Sequence, residues 1–509
     1  MPTKFKFNKT IFFVTYFLFF LLAQPLFAKN VLSRPRKMFL IKTEHFDIIF
    51  SNESQETALL LAENADLLYK KAAENLNSQI NLHMPVIISP DSDTLSVDYT
   101  SSPYNRIIIF DSPADSQSAV FKDSLFSLFY REIFLALAQS IRSPFNQFIA
   151  KWIAGEEYQP VALFNLPYSF VEGIAYLAES EEGEESEEGE IPAEAQGRLH
   201  DHYFLQILAQ AKLENKFPKW TQIATVRDTY PGEELAYAAG AGFAAFLMNT
   251  YGVEKYAQLW QESGKLNPLL TYGVFFHTYE ISLDELWSQF EASVPVPEKL
   301  VEIEELKKQY KPLFQNDKEA NYEHLLLTQY GIVWYDKLRH EVDIFDEKNE
   351  KKIRQLLFLA DNIDRLSISP DGRYMAVSHT QKNTMKSLSA SSTWIYDLKT
   401  RKFLDAKYQL RDSAIVITSD GHYAVVGVNV KNSHASLEIY TMPLDDEKGK
   451  KIELLSSYNF ERNEIPFSPV YAGNGFVSYI HAEGTERYLC RIAFDIKAPE
   501  SKWLITSSS

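Results

Sequence analysis

Leu366-Ser367-Ile368-Ser369-Pro370-Asp371-Gly372-Arg373-Tyr374-Met375-Ala376-Val377-Ser378 sets a turn between two apolar stretches, and Ile415-Val416-Ile417-Thr418-Ser419-Asp420-Gly421-His422-Tyr423-Ala424-Val425-Val426-Gly427 repeats it. A degenerate third copy runs from Phe467 to Tyr479. The spacing is about fifty residues, the length of one four-stranded repeat unit. The turns fall at Asp371-Gly372, Asp420-Gly421 and Asn474-Gly475. Such dipeptides favour tight hairpins, because a type I′ turn needs positive φ at both central positions. Each unit is followed by another strand pattern: Trp394 to Leu398, Leu437 to Tyr440, and Tyr488 to Ile492. A weaker unit runs through Gly331-Ile332-Val333-Trp334-Tyr335 and Val342 to Phe345. From Tyr322 onward the chain therefore reads as all-β, with short strands and turn residues.

These units resemble the blades of TolB-like (WD40-like) β-propellers, whose Ser-Pro-Asp-Gly-Arg turn stands intact at Ser369 to Arg373. The resemblance covers residues 322–509 and leaves room for three to four blades, a partial propeller. Propellers typically close with four to eight blades. An unclosed one would leave a strand edge open to pairing with another chain.

The texture upstream is different. Residues 38–294 mix a few strands with many helices. Phe46 to Phe50, Pro85 to Ile88 and Arg106 to Phe110 read as strands. Ser54 to Leu76 is amphipathic, with Ala58, Leu61, Ala62, Ala65, Leu68 and Ala72 on one stripe. Helices are expected at 121–141, 199–213, 233–250, 254–262 and 283–292. Gly252 supplies a C-terminal stop, and Ser282 with Glu285 a capping pair. Residues 295–321 read as a charged linker helix ended by Pro312. The fold class is α+β: a mainly helical domain, then an all-β one.

Within the helix at 121–141, the stretch Tyr130-Arg131-Glu132-Ile133-Phe134-Leu135 and the later Tyr168-Ser169-Phe170-Val171-Glu172-Gly173 carry a second resemblance. They are similar to the His-Glu-x-x-His helix and third-ligand helix of gluzincin (peptidase-MA-like) metallopeptidases. Ala236 to Phe243, Tyr251-Gly252 and Ile281 to Trp287 also resemble that family, over residues 38–294. In such a helix, residues at i and i+4 share a face, so two histidines hold zinc and the intervening glutamate activates its water. The resemblance implies Glu132 as the acid/base residue, Glu172 as the third ligand and Tyr237 as a transition-state tyrosine. The two histidine positions, however, hold Arg131 and Leu135. Arginine stays protonated and leucine has no donor atom. One ligand remains where catalytic zinc needs three, so no metal is expected there. Plainer readings stand beside these. Glu132 is a partly buried glutamate held by hydrogen bonds or a cation, and Tyr237 is a packing residue. Arg131 is expected to pair with Glu172 across the former cleft.

Other chemistry finds little support. His200-Asp201-His202 point in different directions on a helix, and His45, His83 and His277 are scattered. Gly240-Ala241-Gly242 lies within a helix and follows no strand, so it is not a phosphate loop. No Gly-x-Ser-x-Gly elbow occurs, and the single Cys490 has no motif around it. No cofactor is expected. The chain has 509 residues and a net charge of -17, which disfavours nucleic acid as a partner. Glu179 to Glu190 is a glutamate-rich run that reads as a solvated loop.

Residues 1–28 read as a secretory signal: Lys4, Lys6 and Lys9, an apolar run from Ile11 to Leu22, then Pro25 and Ala28. The run is short for a membrane span, so none is expected after cleavage. Without an internal disulfide, an exported chain fits a bacterial envelope, periplasmic or extracellular. The expected function is a non-catalytic pseudopeptidase with an interaction module, binding a protein or glycan of the envelope. The alternative is an active hydrolase, either metallopeptidase-like or metal-free with Glu132 and Glu172 as the carboxylate pair.

Overall fold

In this computed structural model the described residues are 31–101, 104–116, 121–140, 166–180, 197–200, 202–224, 233–264, 270–297, 308–310, 320–346, 354–383, 388–431, 433–444, 451–493 and 501–504. The signal-like segment 1–28, most of the acidic run and most of the linker helix lie outside them.

The N-terminal part begins with β1 (Met38–Lys42) and β2 (Phe46–Ser51), an antiparallel pair. Helix α1 (Gln55–Asn75) then crosses to β3 (Met84–Ser89), which lies parallel to β2. Strands β4 (Ser96–Thr100) and β5 (Arg106–Phe110) complete the sheet in the order β1-β2-β3-β5-β4. The apolar stripe of α1 buries Ala58, Leu61, Ala65 and Ala72 against this sheet's core. β4 is antiparallel to β5 and forms one edge. Sequence reading missed both β1 and β4, although Ser96-Val97-Asp98-Tyr99 alternates buried and outward residues as an edge strand should.

Helix α2 (Ser124–Ser140) packs against α1 and β4. Its residues are buried on nearly every side, as an all-round apolar helix must be. Then follow α3 (Tyr168–Ala178), α4 (His202–Leu213), α5 (Glu233–Tyr251), α6 (Val253–Ser263), α7 (Leu270–Tyr279) and α8 (Leu283–Ser293). Gly252 takes φ +89° after α5, and the Ser282 side chain accepts from the Glu285 amide at 3.2 Å, both as the sequence indicated.

The expected Gly-x-Gly in a helix is a packing device. A Cβ on Gly240 of α5 would lie 2.1 Å from the Ser169 carbonyl oxygen, and one on Gly173 of α3 would lie 2.4 Å from that of Gly240. Only glycine lets the two helix backbones approach that closely.

From Tyr322 the chain forms four antiparallel four-stranded sheets, each with its strands in chain order. They comprise β6 (Tyr322–Thr328) to β9 (Gln355–Leu359), β10 (Ile363–Ile368) to β13 (Lys402–Tyr408), β14 (Arg411–Ile417) to β17 (Leu454–Asn459), and β18 (Glu464–Gly473) to β21 (Ser501–Leu504). First strands pack on one another: β6 on β10, β10 on β14, and β14 on β18. Among the described residues the first and fourth sheets make no comparable contact.

Both faces of the inner sheets are covered. In β11 (Tyr374–Asn383), Met375 and Val377 join Val333 and Tyr335 of the first sheet, while Tyr374 and Ala376 join Ile415 and Val425 of the third. This explains why that strand starts with an unbroken apolar run.

One turn expectation needs correcting. Asn474 (φ +51°) and Gly475 (φ +79°) form the type I′ pair, but at the other two turns only Gly372 and Gly421 are positive. There the Gly372 amide donates to Ser369 O at 2.8 Å and that of Gly421 to Thr418 O at 3.0 Å. These are type I turns followed by a left-handed glycine; Pro370, with its fixed negative φ, suits the second position.

The two parts are joined through side chains. Arg411, buried, donates to the carbonyls of Asp93 (3.2 Å), Pro113 (3.4 Å) and Ala114 (2.7 Å). Arg462 Nη1 donates to Thr57 Oγ1 at 2.9 Å. Ile465 and Ala482 of the fourth sheet are continuous with the N-terminal core.

Candidate functional site

Three elements build the site that the sequence singled out: α2 with Arg131, Glu132 and Leu135; α3 with Glu172; and the edge strand β4. Glu132 is only 5% exposed. Arg131 Nε donates to Glu132 Oε1 at 2.7 Å, Nη1 to Glu179 Oε2 at 3.3 Å and Nη2 to the Val97 carbonyl at 3.2 Å. The other oxygen of Glu132 accepts from the Tyr99 amide at 2.9 Å.

Val97 and Tyr99 belong to the same alternate set on β4. The carbonyl of one and the amide of the other are thus taken by side chains of α2. An extended peptide adding to this edge would need those groups.

Glu179, at the C-terminal end of α3, is 2% exposed and also meets Arg198 Nη1 at 3.4 Å. Between the two arginines stands Tyr176, its ring 5.8 Å from the Arg131 guanidinium carbon and 4.9 Å from that of Arg198. Tyr237 stacks on Tyr176 with ring centroids 5.3 Å apart. The row runs Glu132, Arg131, Glu179, Arg198, alternating in sign.

Electrostatics follow from this packing. Burial pushes Glu132 up to about 7; the Arg131 charge and the Tyr99 amide oppose the rise, and Glu172 adds to it. Burial also raises Glu179, against Arg198 and Arg131. For Arg131 burial works against the charge, but Glu132 and Glu179 hold the guanidinium more firmly protonated than usual.

The structure corrects two expectations. Arg131 pairs with Glu132 and Glu179, where Glu172 had been expected. Glu179, counted in the solvated acidic run, is buried and ion-paired. The reason is position on α3. Glu172, Tyr176 and Glu179 are at i, i+4 and i+7, one helix face, and Glu179 is the member carried under Arg131. That spacing was legible in the sequence. The role of Arg198 was not, because it depends on a separate 3₁₀ turn (Arg198–His200) folding over Tyr176.

Leu135 is buried in the core, without donor atoms for a metal. A cavity of about 1040 Å³ lies nearby, lined by Tyr130, Phe134, Leu177, Leu208, Phe246 and Phe290 among others, but by neither Glu132 nor Glu172. His45 stacks on Tyr69 at 3.7 Å, His83 bonds to the Glu44 carbonyl, and His277 is exposed on α7. Among the described residues, none of these histidines joins two other potential ligands. No helix among those residues is long and apolar enough to cross a membrane.

No family model matches the chain. Over 464 residues it is 29% identical to an uncharacterized protein of Treponema pallidum (strain Nichols), covering 90% of this chain and 39% of that one. The chain thus spans about two fifths of the length of the curated relative it matches. Solved structures with partial likeness include a prolyl endopeptidase (7% identical, TM-score 0.27, 37% of this chain and 30% of that one) and the oligogalacturonate lyase of Vibrio parahaemolyticus (8%, TM-score 0.26, 38% and 56%). A chain of the nidogen/laminin complex is similar at 12% identity and TM-score 0.26, over 36% of this chain and 63% of that one. These likenesses are too weak to carry an argument about function.

Proposed function

We propose that this chain is an exported, non-catalytic pseudopeptidase of gluzincin ancestry, joined to a propeller-like module, with a binding or scaffolding role in the cell envelope. The observation that carries the reading is the lock of Arg131 and Glu132 onto Val97 and Tyr99 of the edge strand. A gluzincin would keep a ligand at 131 to bind metal and an open edge to bind substrate. Here one salt-bridged side chain occupies the ligand position and reaches the edge as well. Exposed Leu325 and Leu327 on β6, with Leu356 and Leu359 on β9, support a partner-facing role for the first sheet. The partner is a protein or glycan of the envelope.

The test is metal content by elemental mass spectrometry, comparing the natural protein with an Arg131→His/Leu135→His variant. A gain of one zinc per chain over the natural protein supports a lost zinc site. Zinc in the natural protein that disappears with Glu172→Gln would overturn the reading. So would metal-dependent peptide cleavage abolished by Glu132→Gln.

A second reading has one observation in its favour: a carboxyl held near 7 is what a general acid uses at neutral pH. Both oxygens of Glu132 are already engaged and buried, which leaves no approach for a substrate. Hydrolysis of peptides or glycosides lost in both Glu132→Gln and Glu172→Gln would establish that reading instead.

A further inference from the structure

On the ladder between β18 and β19 (Phe476–Glu483), Glu464 stands directly opposite Glu483. Like charges in that position repel across the strands and destabilise the pair. Something positive is therefore expected between them. His481 is two residues before Glu483, so its side chain emerges on the same face. Its Nε2 lies 3.6 Å from Glu464 Oε1 and 3.4 Å from Glu483 Oε1. One ligand atom from each of the three lies within 4.8 Å of the others.

The distances discriminate between two ways of bridging the carboxylates. A protonated imidazole donating a hydrogen bond would bring nitrogen and oxygen to about 2.7–3.2 Å. Two ligand atoms each about 2.0–2.1 Å from a tetrahedral zinc ion stand roughly 3.3–3.4 Å apart. Both observed separations exceed the hydrogen-bond range; that to Glu483 equals the metal-bridged spacing and that to Glu464 is 0.2 Å wider. Burial fits as well: the imidazole is 4% exposed, whereas Glu464 and Glu483 keep 26% and 38% of their side chains exposed, so an ion can enter from solvent. One imidazole and two carboxylates make a borderline-to-hard donor set, suited to zinc or manganese.

We propose that Glu464, His481 and Glu483 form a divalent-cation site of the zinc class, with water completing the coordination. Its place in the fold gives it a structural task. Ile465 and Ala482, neighbours of Glu464 and His481, belong to the N-terminal core. Asn463 Nδ2 donates to Asp123 Oδ2 at 3.2 Å, and Gly484 packs against the Lys122 backbone. The ion fastens the two strand ends by which the fourth sheet grips the N-terminal part. This site is independent of Arg131 and Glu132 and does not rest on the pseudopeptidase reading.

The test uses the full mature chain, stripped with a chelator and then titrated with zinc chloride by calorimetry and by thermal denaturation at pH 7.5. The expected result is one zinc per chain and a melting temperature that climbs with zinc concentration, as a ligand specific to the folded state requires. Glu483→Gln, at the most exposed ligand, should fold and weaken binding by more than about tenfold, since even groups that only orient a metal ligand cost that much. Glu464→Gln should do the same, and His481→Asn should abolish binding. Absence of a zinc-dependent rise overturns the proposal, as does a rise unchanged in Glu483→Gln and Glu464→Gln. If either glutamine variant is more stable than the natural protein at every zinc concentration, the pair is only a repulsive contact and the proposal fails.

Discussion

Exchange of Arg131 for methionine removes the cation that pairs with both Glu132 and Glu179. Methionine keeps most of the aliphatic volume, so the change is chiefly the loss of three donated bonds, to Glu132, Glu179 and Val97. Removing one partner of a buried pair leaves an uncompensated charge and costs about 3–5 kcal/mol. The pH dependence makes the argument specific. The folded-state value of Glu132, about 7, lies above its ordinary 4.5. A carboxyl raised in this way contributes stability that is fully present below 4.5 and is lost as pH rises through about 7. That gap corresponds to roughly 3 kcal/mol. Without Arg131 the folded-state value climbs further. The deficit of Arg131→Met should therefore grow as pH rises through about 7, where Glu132 ionises beside Arg131 in the natural protein, and should shrink in acid, where a protonated carboxyl needs no cation. At about 2–4 °C per kcal/mol for a unit of this size, thermal denaturation near pH 8 should show a fall of about 10 °C. Near pH 5 the fall should be less than half as large. The double variant Arg131→Met/Glu132→Gln should recover part of the loss at the higher pH, because one buried charge goes with its partner. A melting temperature near that of the natural protein at both pH values, or an equal loss at both, would refute the reasoning.

Gly240→Ala drives a methyl group into the Ser169 carbonyl at 2.1 Å, a contact only a backbone shift relieves; overpacking of this kind should cost about 1–3 kcal/mol or more, read by urea denaturation. Gly372→Ala meets nothing closer than 3.4 Å but must hold φ +73°, so its cost should be the conformational one alone, about 1–2 kcal/mol. Arg411→Met leaves the carbonyls of Asp93, Pro113 and Ala114 without their buried donor. Calorimetry should then resolve two transitions, one for each part of the chain, and a single transition at the natural temperature would argue against the joint described.

Much of the architecture is legible locally. The Asp-Gly and Asn-Gly turns with flanking apolar runs mark β10, β14 and β18 and the strands that follow them, because hairpin chemistry and period-2 patterning are short-range properties. The long amphipathic and apolar helices are equally plain. β1 and β4 escaped because each is a five-residue edge strand: the alternation in β4 is too short to stand out from a loop, whereas the equally short β5 inside the sheet is a continuous apolar run. Helix α7 escaped as well: apolar residues surround it without a stripe. At the site, the sequence indicated that Arg131 and Leu135 cannot ligate zinc and that Arg131 needs a carboxylate partner. It pointed to the wrong one, because Glu172 and Glu179 lie two turns apart on one face and only the packing angle of α3 against α2 decides which is in reach.

What the sequence determined by itself was the class of most segments and the presence at 131 and 135 of residues that cannot ligate a metal, both set by residue identity and spacing along the chain. What only the tertiary structure decided was which charges meet. Arg131 finds Glu179 and the β4 edge, and Arg411 finds carbonyls some three hundred residues earlier in the chain. Glu464, Glu483 and His481 converge through strand register. Apart from His481 and Glu483, which share a strand face, such pairings join residues whose separation in sequence carries no periodic signal. They arise where burial makes an unpaired charge or carbonyl costly, and burial is a property of the packed chain.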